Sequence, residues 1–189
     1  MNKIFRRISM CVVALAFAFL IQEGSTAHSP QSVGQSTKTR VPVIELPEFP
    51  QLCKEIKQQA KGKLLVVSFW DTRIDLHLKY LVELDNKYRS KGVKIVVFSV
   101  DDNYLHKRSV IPSVIESKAS FDVFLIDDSN YERKNEIIRQ EWLGEELETI
   151  PTIALFDRQG KRVYLQAGGL PQSIKPDPLE TAIELALKQ

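Results

Sequence analysis

Cysteine is nearly absent from this chain of 189 residues: only Cys11 and Cys53 are present. Cys11 falls in an apolar N-terminal stretch that reads as a removable leader. Once that is gone Cys53 stands alone, and no intramolecular disulfide can form. In an oxidising compartment, where cysteines normally pair, two roles stay open for it. It is either a small hydrophobe packed in the core or an accessible thiol for a mixed disulfide or a covalent dimer. Histidine is almost as scarce. His28, His77 and His106 show no HxxxH or comparable ligand spacing, so neither a metal nor a cofactor is expected. Net charge is also lacking. Residues 1–27 hold three of the 26 basic and one of the 24 acidic side chains, which leaves 23 of each in the remainder. A neutral body with scattered charges gives no reason to expect nucleic acid or an anionic membrane surface as partner.

No apolar run reaches the roughly 20 residues that a membrane-spanning helix prefers. The longest, Ile8 to Ile21, has signal-peptide length. It follows the positive Lys3, Arg6 and Arg7 and precedes Ser25-Thr26-Ala27, whose small residues suit cleavage after Ala27. The alternative is an uncleaved N-terminal anchor. Cys11 lies behind Met10, a poor lipoprotein cleavage box, so lipidation is not expected. Residues 1–27 are thus read as a signal peptide and 28–47, rich in Ser, Thr, Gln and Pro, as a flexible tether. Residues 48–189 form one domain with no internal repeat.

Within that domain, helical and strand patterns alternate. Leu52, Ile56 and Ala60 recur at helical spacing over Phe49 to Lys61, and Leu64 to Trp70 (LLVVSFW) is a short β-rich run of the kind buried on both faces. Leu78, Leu81, Val82 and Tyr88 mark one face of a helix over Ile74 to Ser90, ended by Gly92. Val93 to Val100 is a second buried strand, with Asp101-Asp102-Asn103 where a helix N-cap belongs. A weaker helix over Tyr104 to Ser117, interrupted near Pro112, precedes a strand over Phe121 to Ile126. Tyr131 to Trp142 is helical, with Trp142 as a helix-end core residue. Thr152 to Phe156 and Arg162 to Gln166 flank the turn Asp157-Arg158-Gln159-Gly160 as a β-hairpin, and Leu179 to Leu187 is a closing helix. This order predicts an α/β domain with a central mixed β-sheet and helices on both faces.

Three stretches carry a resemblance. Gly62 to Trp70 looks like a "GK-hydrophobic-FW" strand leading into an active site. Lys91 to Asp102 looks like the second strand and acidic turn that accompany it, and Thr149 to Lys161 like a cis-proline strand and hairpin. Together they resemble the thioredoxin superfamily, most closely its exported TlpA-like thiol–disulfide oxidoreductases, over about Leu46 to Lys188. The resemblance implies a thioredoxin-like fold and favours the periplasm as the exported compartment. It also implies a Cys-x-x-Cys pair at the start of the helix after Trp70, where this chain reads Asp71-Thr72-Arg73-Ile74-Asp75-Leu76-His77. Ile74 stands in the place of the nucleophilic cysteine and His77 in that of the resolving one. Exchange needs a low-pKa thiolate at a helix N-terminus and a second thiol to release the mixed disulfide. Neither residue supplies one. Peroxiredoxins, which share the scaffold, would match Thr72 but again need a cysteine where Ile74 stands.

His77 has two readings: a surface or partly buried helix residue, or, with Asp71 and Asp75 nearby, a ligand or acid–base group. The second suffers because Asp75 and His77, two apart on a helix, point in different directions. The resemblance places Pro151 opposite the helix start, with the residue before it offering backbone hydrogen bonds to an extended peptide. What survives the loss of cysteine is then a shallow groove at Trp70, Asp71, Ile74, His77, Ile150 and Pro151. The expected function is a protein-binding or assembly module that holds an unidentified protein or extended peptide there by partial strand addition, with Trp70, Ile74 and Pro151 on one continuous open surface. The alternative is an oxidoreductase-related role that uses Cys53 or a partner's thiols.

Overall fold

The computed structural model describes residues 41–101, 104–127, 129–169, 171 and 174–189, with the backbone alone at 75 and 104–107. The elements run β1 (Val43–Ile44), α1 (Phe49–Gln59), β2 (Leu64–Trp70), α2 (Asp75–Tyr88), β3 (Val93–Ser99), α3 (Tyr104–Ser117), β4 (Asp122–Ile126), α4 (Tyr131–Ile138), β5 (Thr152–Phe156), β6 (Arg162–Ala167) and α5 (Pro178–Leu187). The six strands form one sheet in the order β1-β4-β3-β2-β5-β6. The first four are mutually parallel, while β5 runs antiparallel to β2 and β6 antiparallel to β5. The expected mixed α/β sheet is present.

All seven residues of β2 are buried, because helices cover both faces of the sheet. The pleat sorts them. Leu64, Val66 and Trp70 pack into a cluster with Leu78, Leu81 and Leu84 of α2, Val110 and Val114 of α3, and Leu179 and Ile183 of α5. Leu65, Val67 and Phe69 join the opposite cluster, with Phe49, Cys53 and Ile56 of α1 and Ile137 and Ile138 of α4. Burying each such side chain contributes about 1.5–3 kcal/mol, so the unbroken apolar run of β2 is the spine shared by two cores.

The secondary-structure elements depart from the sequence reading in three places. The chain joins the sheet before residue 48: Val43 and Ile44 pair with Leu125 and Ile126 of β4, and Val41 and Leu46 are buried. Pro112 does not interrupt α3, which continues to Ser117. Pro112 lies on the solvent side, the side on which a helix most readily bends open to accommodate a proline. Beyond Ile138 the last turn of α4 widens into a π-turn, Arg139–Leu143, that carries buried Trp142 and closes at Gly144 with φ of 68°. The leader and the proposed cap at Asp102-Asn103 lie outside the described residues.

Candidate functional site

The C-terminal ends of β2 and β3, the start of α2 and the start of β5 meet at one end of the sheet. β2 ends at Trp70, and Val100 N–H donates to the Trp70 carbonyl at 2.8 Å. Phe69 pairs with Thr152, which brings the Ile150–Pro151 peptide, cis in this structure, beside the exit of β2.

Two buried carboxylates pin the loop between β2 and α2. Asp71 accepts from the backbone N–H of Arg73 at 3.0 Å and from its guanidinium Nε at 2.8 Å, with Nη2 in contact as well. Asp101 accepts from Thr72 through both N–H, at 3.2 Å, and Oγ1, at 2.7 Å, and from Ser99 Oγ at 2.6 Å. Trp70 Nε1 donates to the Ile74 carbonyl at 2.9 Å and ties the strand end to the helix start. Ile74 itself occupies the N-cap of α2 with φ of −121° and ψ of 70° and makes no side-chain cap bond. An isoleucine has no acceptor for the free N–H groups of the first turn.

The groove expected here is mostly closed. Trp70 and His77 have no exposure, Asp71 is buried, and so is Pro151. Ile74 and Ile150 are half-buried, Arg73 is exposed, and Leu76 is 60% exposed. Trp70 faces inward because it shares the strand parity of Leu64 and Val66, which commits its ring to the core under α2. The outward rim at the start of α2 is therefore Arg73, Ile74 and Leu76, while Ile150 is partly open just before β5.

His77 also departs from expectation. It is wholly buried on the inner face of α2, and its Nε2 lies 2.6 Å from Ser68 Oγ. Its Nδ1 has no hydrogen-bond partner among the described residues. Burial pushes its pKa down to about 4, so the ring is neutral at physiological pH. Sealed from solvent, the ring is out of reach of a substrate or a metal in the groove. Ser68 was missed at the sequence level. Its signal was present: it is the one polar residue in LLVVSFW, on the same strand face as Trp70, opposite a helix face that reads His77, Leu81, Leu84 and Tyr88.

Cys53 lies in the other core, fully buried on α1 and accepting from Trp142 Nε1 at 3.1 Å. Burial first, then the Glu141 carboxylate, outweigh the lowering by the Trp142 hydrogen bond and by Lys57, and push its pKa up to about 12. α1 and α2 lie on opposite faces of the sheet, so the fold does not bring Cys53 to the Ile74 rim. His28 and the side chains of Asp75 and His106 lie outside the described residues.

No protein-family model and no curated protein matches the chain. Solved structures do. A candidate thiol:disulfide interchange protein DsbE from Chlorobium tepidum superposes with a TM-score of 0.53 at 22% identity, over 69% of this chain and 84% of that one. A thioredoxin-like protein solved in its oxidized form gives 0.53 at 19%, over 70% and 83%. The fold is thioredoxin-like. The thioredoxin domain of a thiol-disulfide oxidoreductase from Bacteroides vulgatus also superposes, with a TM-score of 0.50 at 20% identity, over 68% and 83%. At these identities the likeness is one of fold. In that thioredoxin-like frame, the start of α2 carries Ile74 and His77 where the resemblance implies cysteines.

Proposed function

We propose that this chain is an exported thioredoxin-like domain that lacks dithiol exchange and holds a polypeptide segment at the rim around the start of α2. The observation that carries the reading is the Ile74/His77 pair. One offers a half-buried hydrocarbon and the other a sealed, neutral imidazole, where exchange would need two thiols. Cys53 offers no substitute, because it is buried on the far side of the sheet with its thiolate strongly disfavoured. Leu76 is 60% exposed and Ile74, two residues before it, is partly open, which leaves apolar surface at the start of α2 that an extended segment would cover, with exposed Arg73 adjoining it in the chain. Export, with the periplasm as destination, rests on the basic and apolar leader and on the TlpA-like resemblance.

The test compares the full chain and Cys53→Ala for reduction of insulin by dithiothreitol, beside photo-crosslinking from position 76 in native cells. The expected result is no catalysis by either form, and a discrete crosslinked polypeptide from position 76 that is absent when the crosslinker sits at exposed Leu185. Catalysis that disappears in Cys53→Ala would overturn the proposal, and so would equal crosslinking from both positions.

A further inference from the structure

At the other end of β2, seven residues or about 20 Å from Trp70, a second concavity opens. We propose that it binds a single-chain anionic amphiphile of the acyl-carboxylate class, with the chain on an apolar floor and the carboxylate among lysines. The cleft measures about 620 Å3 and is bounded by the last turn of α1, the first residues of β2 and the β5–β6 turn. That volume is mid-range for sites that take a small organic ligand.

Its floor is built by register. Leu65 of β2 pairs directly with Phe156 of β5, and Ala60 at the end of α1 closes the third side. All three are core residues, so the floor is closed. The rim is cationic. Lys57, Lys61, Lys63 and Arg158 line the cleft against one carboxylate, Asp157. That carboxylate is already used inside its own turn, accepting from the backbone N–H groups of Gln159 at 3.0 Å and Lys161 at 2.8 Å. Lys61 and Lys63 are exposed and make no ion pair with the described residues.

Two of the cations are held in place. Lys57 Nζ sits 2.9 Å from Glu141 and 4.8 Å from the centre of the Trp142 ring, and Arg158 Nη1 donates to the Ala186 carbonyl at 3.2 Å. The lysine stems add aliphatic wall while their heads stay in water. That leaves Lys61 and Lys63 as the cations without an ion pair among the described residues; an uncharged hydrocarbon would not use them, and a cationic amphiphile would be repelled by them. The complement is an apolar chain that ends in a negative group. A two-chain phospholipid exceeds the cleft, so the proposal commits to a free single-chain acid.

Isothermal titration calorimetry of the full chain with decanoate, kept below its micelle concentration, tests this. The comparison ligands are decyltrimethylammonium and vesicles of anionic phospholipid, and the comparison protein is Lys61→Glu/Lys63→Glu, whose changes lie at exposed positions outside the core. The expected result is one saturable site for decanoate, weakened about tenfold or more in the double variant, with no saturable binding of the cationic analogue. Absence of a saturable site, unchanged affinity in the double variant, or equal binding of decyltrimethylammonium would overturn the proposal. Binding to vesicles with none to decanoate would overturn it in favour of a membrane surface. None of these outcomes bears on the Ile74 rim, so this inference and the proposed function stand or fall separately.

Discussion

The Ser68 hydroxyl lies 2.6 Å from Nε2 of His77, and neither side chain reaches solvent. The pair occupies the space beneath the start of α2 where the resemblance implies that a resolving cysteine would stand. It is a buried polar contact with one partner too few among the described residues, since Nδ1 is unmatched there. A half-satisfied buried group is costly, and this cost makes the pair testable.

Acid should destabilise the fold through His77. In the unfolded chain the imidazole protonates near pH 6.5, whereas burial holds the folded ring down to about 4. Between those values the unfolded state binds more protons. Its contribution is complete above pH 6.5 and is lost as the pH falls towards 4, by about 3 kcal/mol. Urea midpoints for wild type and His77→Gln from pH 7.5 to 4.5 check this, with a steeper acid decline in wild type expected. Parallel declines would refute it.

Removing one member of the pair should hurt more than removing both. Ser68→Ala leaves both imidazole nitrogens without a partner and should cost about 1–3 kcal/mol, while Ser68→Ala/His77→Leu should recover most of that loss. A double-mutant cycle from urea denaturation measures the coupling. Purely additive losses would mean that the 2.6 Å contact carries no energy.

Cys53 should be inert in the native chain. Its pKa of about 12 against the ordinary 9 lowers the thiolate fraction about a thousandfold at a given pH, and burial denies access as well. Reaction with a chromogenic disulfide at pH 8 should therefore be slow in buffer and rapid in 6 M guanidinium. Fast native labelling would place the thiol at the surface and revive a single-cysteine chemistry.

Ile74→Cys/His77→Cys should restore a disulfide at the start of α2, because the loop is already fixed by Asp71, Asp101 and the Trp70–Ile74 bond. Dithiothreitol-dependent insulin reduction by the double variant, absent in the parent, is the expected readout. A variant that forms no disulfide would show that the helix start has diverged in geometry as well as in sequence.

The parts of this fold that the sequence made legible were those governed by period. LLVVSFW and VKIVVFS announced buried strands, and the spacing of Leu78, Leu81 and Tyr88 announced the inner face of α2. β1 escaped notice because two residues, Val43 and Ile44, offer no period, and their pairing with β4 is set by tertiary contact. Trp70 was misplaced for a different reason. The family resemblance drew it towards a groove, whereas strict alternation from Leu64 and Val66 pointed it into the core. His77 is a helix residue, as the first of its two readings has it, but its spacing to Leu81, Leu84 and Tyr88 carries it further inward than that reading allows, to full burial.

The division of β2 between two cores leaves each core with one tryptophan. Trp70 lies in the layer with α2 and α5, bonded to the Ile74 carbonyl. Trp142 lies in the layer with α1, 6.0 Å from Phe98, 5.8 Å from Phe156 and beneath the Lys57 ammonium. The chain thus carries an intrinsic optical reporter on each side of its sheet, in unlike surroundings, and Trp70→Phe and Trp142→Phe would isolate them. Coincident emission changes on unfolding would mean that the shared strand welds the two halves into a single cooperative unit. Separate transitions would reveal which side of the sheet gives way first.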